Sequence, residues 1–156
     1  MANELTVGEI LARAIQREIE SQDLYRELGW KMTDDAAKAA FRQLYRQEQG
    51  HQKRLEQYQR GELKSGALSR GQAVDYRIAE YLDQPAASPD MKLKDVFLLA
   101  ANREKAAHTF YISFAALHPA GQVRKLLEDL AAQELEHKQR VELLFTEVAF
   151  PQTDGG

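Results

Sequence analysis

No cysteine occurs anywhere in the chain. That absence excludes disulfides, thiolate nucleophiles, iron–sulfur clusters and sulfur-held zinc in one step. A disulfide-free chain sits comfortably in the cytosol. Long apolar runs are missing too: the longest, Val96 to Ala101, is far too short to cross a bilayer. The opening M-A-N-E-L-T lacks the basic and apolar regions of a signal peptide. A soluble, cytoplasmic protein with no membrane partner is therefore expected. Nor is there an excess of one charge. The net charge is -3 with both signs mixed along the chain, so no nucleic-acid partner is expected. The four prolines fall at 85, 89, 119 and 151, between or at the ends of the periodic stretches.

What is present is a 156-residue chain, 44% hydrophobic, enough for one domain with a real core. Strand signals are scarce and a 3.6-residue period dominates, so the chain reads as all-α. A first helix is predicted from Val7 to Met32, with Thr6 and Glu9 as a capping box. Its apolar stripe is Ile10, Leu11, Ala14, Ile15, Tyr25 and Leu28. A second helix is predicted from Ala36 to Arg60, after a turn at Thr33–Asp35, burying Ala40, Phe41, Leu44, Leu55 and Tyr58. So short a turn makes the two helices antiparallel.

Residues 61–92 read as a long crossover, rich in glycine and proline, with a short helical piece from Gln72 to Leu82 capped by Ser69. The third helix is predicted from Leu93 to Leu117, with Phe97, Ala100, Ala101, Tyr111 and Ala115 inward. Pro119 is expected to open the fourth, which runs to Ala149 with Leu127, Leu130, Val141, Leu144 and Val148 inward. The predicted architecture is an antiparallel four-helix bundle over residues 1–150, with one long crossover between helices 2 and 3 and a flexible tail over 151–156.

The two halves repeat each other. Glu18, Tyr25, Glu48 and His51 return as Glu104, Tyr111, Glu134 and His137, every one displaced by 86 residues. Helical phase decides where they point. Glu18 lies four and three positions after Ala14 and Ile15 and seven before Tyr25, so it interrupts the apolar stripe. Glu48 follows Leu44 by four and precedes Leu55 by seven; Glu134 stands the same way between Leu130 and Val141. Four carboxylates and two imidazoles aim at the bundle axis.

Isolated buried carboxylates cost several kcal/mol each. Protonation or bound cations must relieve them. Two divalent ions would match four glutamates and leave two histidines as neutral nitrogen donors, a shell suited to iron or manganese, with zinc as a possible substitute. A glutamate from each of two helices and Glu-x-x-His from each of the others is the di-metal carboxylate pattern. A single Glu-x-x-His is weak; two in register with their upstream Glu and Tyr are not. Tyr25 and Tyr111 serve equally as core aromatics or as partners of the carboxylates, and the repetition favours the second. His108, four residues after Glu104, is a further candidate ligand, with Gln22 in the matching place. His118, Glu20, Glu136 and the runs of Arg and Gln read as solvated surface. Gly50, inside the second helix, reads as a place with no room for a side chain.

The segments REIESQDLYRELG, FRQLYRQEQGHQKRL, NREKAAHTFYISFA and LAAQELEHKQRVELL resemble the rubrerythrin-like branch of the ferritin-like superfamily, over about residues 7 to 148. The resemblance implies a carboxylate-bridged di-iron centre reacting with hydrogen peroxide or dioxygen. It implies Glu18, Glu48, His51, Glu104, Glu134 and His137 as ligands, with Glu48 and Glu134 bridging. Rubrerythrins typically append a Cys-ligated rubredoxin-like domain as electron donor. This chain has no cysteine, so an external donor is expected. They also often place another glutamate where this chain has Ala107. Ferritin cages usually add a fifth short helix that has no counterpart here, so cage assembly is not expected. Three functions compete: a peroxidase or ferroxidase acting on peroxide, dioxygen or ferrous iron; an iron-handling protein with little turnover; and an unmetallated oligomerisation bundle. A homodimer is expected.

Overall fold

The computed structural model describes residues 5–64, 66–68 and 73–150. These hold five helices and no strand: α1 (Val7–Lys31), α2 (Asp35–Gln59), α3 (Ile78–Tyr81), α4 (Leu93–Ala116) and α5 (Gln122–Ala149). The four long helices match the periodicity reading to within a residue or two at most ends. None is long and apolar enough to cross a membrane.

Local chemistry sets their ends. Glu9 N–H donates to Thr6 Oγ1 at 3.1 Å and Thr6 N–H donates to Glu9 Oε2 at 3.2 Å, closing the expected capping box. Asp34 Oδ2 accepts from Ala37 N–H at 2.9 Å to start α2. At its far end Gly61 takes φ 77°, and the N–H groups of Gly61 and Glu62 turn back to the carbonyls of Tyr58 and Gln57. That paired closure satisfies carbonyls the helix itself leaves open, and its left-handed residue suits glycine. Lys92 N–H donates to Asp95 Oδ2 at 3.0 Å at the start of α4. This contact stands 86 residues from the Thr6–Glu9 box, so the repeat reaches the caps.

Two connections differ from expectation. The helical piece in the crossover is only α3, one turn preceded by Arg77 in the left-handed region. Residues 73–77 are not helical, and backbone amides there are used elsewhere: Val74 N–H donates to Gln139 Oε1 and Arg77 N–H to Asp75 Oδ1. The proposed cap Ser69 and start Gln72 lie outside the described residues, as does the 151–156 tail. Pro119 does not open α5, which starts at Gln122 after Gly121.

α1 packs along α2, and α4 along α5. The apolar core is split into two clusters. One gathers Tyr25, Leu28, Phe41, Leu44, Val96 to Ala101, Val141 and Phe145. The other gathers Ile10, Leu11, Ala14, Leu55, Tyr111, Leu127 and Leu130. Fully buried side chains such as Phe41 and Leu55 each contribute about 1.5–3 kcal/mol. Ile15, Tyr58, Leu144 and Val148 are only half-buried at the margins. Gly29 marks a close approach, since a Cβ there would lie 3.2 Å from Phe41 Cβ. Both apolar clusters leave out the buried glutamates, which form a polar layer in the bundle.

Candidate metal centre

All four repeated glutamates are buried: Glu18, Glu48, Glu104 and Glu134 expose 4–7% of their surface. They divide into two groups whose ligand-type atoms lie within 4.8 Å of one another, Glu18–Glu48–His51 and Glu104–Glu134–His137. The groups are near copies. His51 Nδ1 lies 3.2 Å from Glu48 Oε2 and 3.7 Å from Glu18 Oε2. His137 Nδ1 lies 3.5 Å from Glu134 Oε2 and 3.7 Å from Glu104 Oε2. Between them the two imidazoles stack, centroids 3.5 Å apart and planes within 5°.

The electrostatics fall in the same pairs. Burial, helped by the hydrogen bond to Glu48, pushes Glu18 well above the usual glutamate range. Burial and the adjacent charge of Glu134 do the same to Glu104. Burial also raises Glu48 and Glu134, but their partners prevail. Hydrogen bonds from Glu18 and His51 bring Glu48 below its ordinary value, and Glu104 with the nearby His137 brings Glu134 down to about 2. In each pair one carboxyl is raised and its partner lowered, the usual division when like charges are forced together. Burial lowers His51, favouring the neutral imidazole that a cation would need.

The residues fit bound metal. His137 Nδ1 is buried with no hydrogen-bond partner, a polar atom that the fold otherwise leaves unanswered. The donor set, one nitrogen and two carboxylates in each group with no sulfur, suits a first-row divalent ion.

Other sequence candidates lie elsewhere. His108 Nδ1 sits 2.8 Å from the Ala131 carbonyl and joins neither group. Its counterpart Gln22 also ties one helix to the next, donating to the Glu48 carbonyl and to Gln52 Oε1. Tyr25 and Tyr111 are buried beside the centre, their hydroxyl pKa values pushed up by burial and by Glu104 and Glu134 respectively. Among the described residues neither hydroxyl is hydrogen-bonded to a cluster glutamate. His118 Nδ1 meets the Phe114 carbonyl at 2.9 Å. The reading of Gly50 is overturned: a Cβ there would meet nothing within 4 Å. It lies on the exposed side of α2, so crowding does not explain it.

Two features escaped the sequence reading. Arg17 and Arg103, read as surface, line a cleft of about 240 Å³ that leads to all four glutamates. They too are 86 residues apart, the signal that could have found them. The second is a third carboxylate group, Asp75, Glu80 and Glu142. It already has its cation, because buried Lys138 Nζ bonds to all three. Lys138 lies on the inward stripe, four after Glu134 and three before Val141, where a lysine needs a partner.

The class of protein that this fold and centre define is a helical bundle with a buried, duplicated carboxylate–histidine site. Residues 9–75, which carry Glu18, Glu48 and His51, are similar to the rubrerythrin family, whose model they match. The match covers less than half of the chain, and the 86-residue repeat relates the second half to it. No curated protein and no solved structure matches the chain.

Proposed function

We propose that the protein is a non-haem di-iron carboxylate oxidoreductase that reacts with hydrogen peroxide or dioxygen. The observation that carries this reading is the pair of buried Glu–Glu–His groups, equal in composition and nearly equal in spacing. Glu18, Glu48 and His51 would hold one ion, and Glu104, Glu134 and His137 the other. Ferrous iron in both places would supply the oxidant with two electrons at once. The four long helices form a single ferritin-like antiparallel bundle, and residues 61–92 are its crossover.

The chain's own residues do the rest. The raised carboxyls give up their protons as cations enter and take them back as cations leave. The apolar clusters on either side keep bulk water from the centre. The cleft bordered by Arg17 and Arg103 is the route for a small oxidant. With no cysteine in the chain, electrons come from an external donor. A homodimer is the assembly this reading expects, and sedimentation tests it directly.

Anaerobic loading with ferrous iron, then separate pulses of peroxide and oxygen followed by absorbance, tests the reading. Two ions per chain and repeated turnover with a reductant are expected. Two ions without turnover would make the protein an iron carrier. Equal metal uptake by the Glu48→Ala, Glu134→Ala variant would sink both.

A further inference from the structure

Two guanidinium groups border the centre beside the cluster glutamates. Arg17 and Arg103 each stand one residue before a cluster glutamate. Each lies against the tyrosine of the opposite half: the Arg17 guanidinium is 5.7 Å from the Tyr111 ring and 5.3 Å from that of Phe110, and the Arg103 guanidinium is 5.7 Å from the Tyr25 ring. Both groups therefore bridge from α1 to α4 or back, across the cleft. Among the described residues neither makes an ion pair. Arg103 Nη2 donates to Ser21 Oγ at 2.9 Å, but its Nε is buried without any acceptor.

Aromatic contacts hold a guanidinium by its face and leave its in-plane N–H donors for another partner. A buried guanidinium donor is seldom left unanswered. Charge says what kind of partner fits: two guanidinium groups on opposite sides of one cleft offer paired donors to an anion. Size sets the limit. About 240 Å³ has room for roughly eight waters at the liquid volume of about 30 Å³ each. The lining adds Ser21, Asn102 and Gln84 as further polar groups.

We propose that this cleft binds a small oxyanion, held by the in-plane donors of Arg17 and Arg103 immediately outside the glutamate layer. The site needs no metal, and goes beyond the oxidoreductase reading: an anion seated there stands in the path of a small oxidant and regulates access to the centre.

Sulfate is a suitable probe because its charge is constant across neutral pH. It is titrated into the full-length, chelator-treated protein at constant ionic strength set with sodium chloride. Calorimetry follows binding, and the Arg Nε–H resonances are followed by NMR. One saturable site per chain is expected, with the Arg103 Nε–H resonance moving along the same isotherm. Arg17→Gln and Arg103→Gln should each weaken binding at least tenfold, whereas Arg26→Gln, which removes an exposed charge, should leave it unchanged. Non-saturable binding, an unmoved Arg103 resonance in the unaltered protein, or equal affinity in all three variants overturns the proposal. The resonance needs no variant, so a misfolded Arg103→Gln does not spoil the test. Zinc stoichiometry, measured separately, keeps the two readings apart. A chain that binds sulfate but no zinc defeats the di-metal reading alone; one that takes two zinc ions and no sulfate defeats the oxyanion site alone.

Discussion

Burial raises Glu18 and Glu104 while their partners lower Glu48 and Glu134, and this division governs substitution. Glutamine replaces a protonated carboxyl with nearly the same shape and a donor in place. Glu104→Gln should therefore change the stability of the metal-free protein by less than about 1 kcal/mol, while lowering metal uptake from two ions to one. Urea melts and metal analysis read the two effects separately. The pH dependence follows with a definite sign. Burial, the largest cause, raises Glu18 and Glu104 in the folded chain, so folded protein holds protons that unfolded protein has released. Their contribution to metal-free stability is then full below the ordinary glutamate value of about 4.3 and is lost as pH rises through the raised values. In zinc-loaded protein, where cations displace those protons, that decline should vanish. The six cluster residues were legible because helical phase puts residues three, four and seven apart on one face. Arg17 and Arg103 were not, because an arginine beside an apolar stripe reads as solvated until a neighbouring helix covers it.

Within the elements, α2 and the crossover carry the most informative departures. Gly50 has open space around it, so Gly50→Ala should stabilise the protein by up to about 1 kcal/mol through helix propensity alone. Gly29→Ala should not, because its Cβ would meet Phe41 at 3.2 Å. Sequence could not separate these two glycines: spacing within a helix says which face a residue takes, not how near the next helix comes. The crossover was misread for a similar reason. Residues 73–77 have no strong local preference, and α5 determines their path. Lys138 and its three carboxylates hold them there, together with Ala79 N–H, which donates to Glu142 Oε2 at 3.0 Å. Lys138→Met would leave Glu142, fully buried, without its cation and should cost about 3–5 kcal/mol, read from urea midpoints. Burial raises Asp75, but the hydrogen bond and charge of Lys138 prevail and hold it below the usual aspartate range. Its contribution is full above the ordinary aspartate value of about 3.9 and lost as pH falls through the lower folded value. The stability gap between Asp75→Asn and the unaltered protein should therefore close in acid.

At the scale of the whole molecule, an apolar core divided by a layer of acids is a fold that cations should tighten. At metal concentrations a hundredfold above the dissociation constant, each site contributes about 2.7 kcal/mol. For a chain of this size that raises Tm by roughly 5–10 °C per site, and melts with and without chelator measure it. The helical architecture was legible from periodicity, and the repeat gave the matching of halves that periodicity could not. The fit of one half to the other was hidden, since no spacing within a chain reports a contact across it.

The stacked imidazoles give that fit a consequence. His51 and His137 lie face to face at 3.5 Å, so neither ring can turn while the other stays still. The two half-sites share a wall, and whatever fixes one imidazole sets the orientation available to the other. An ion that fixes the first imidazole should therefore change the affinity of the second place, which stepwise zinc titration reads as unequal binding constants.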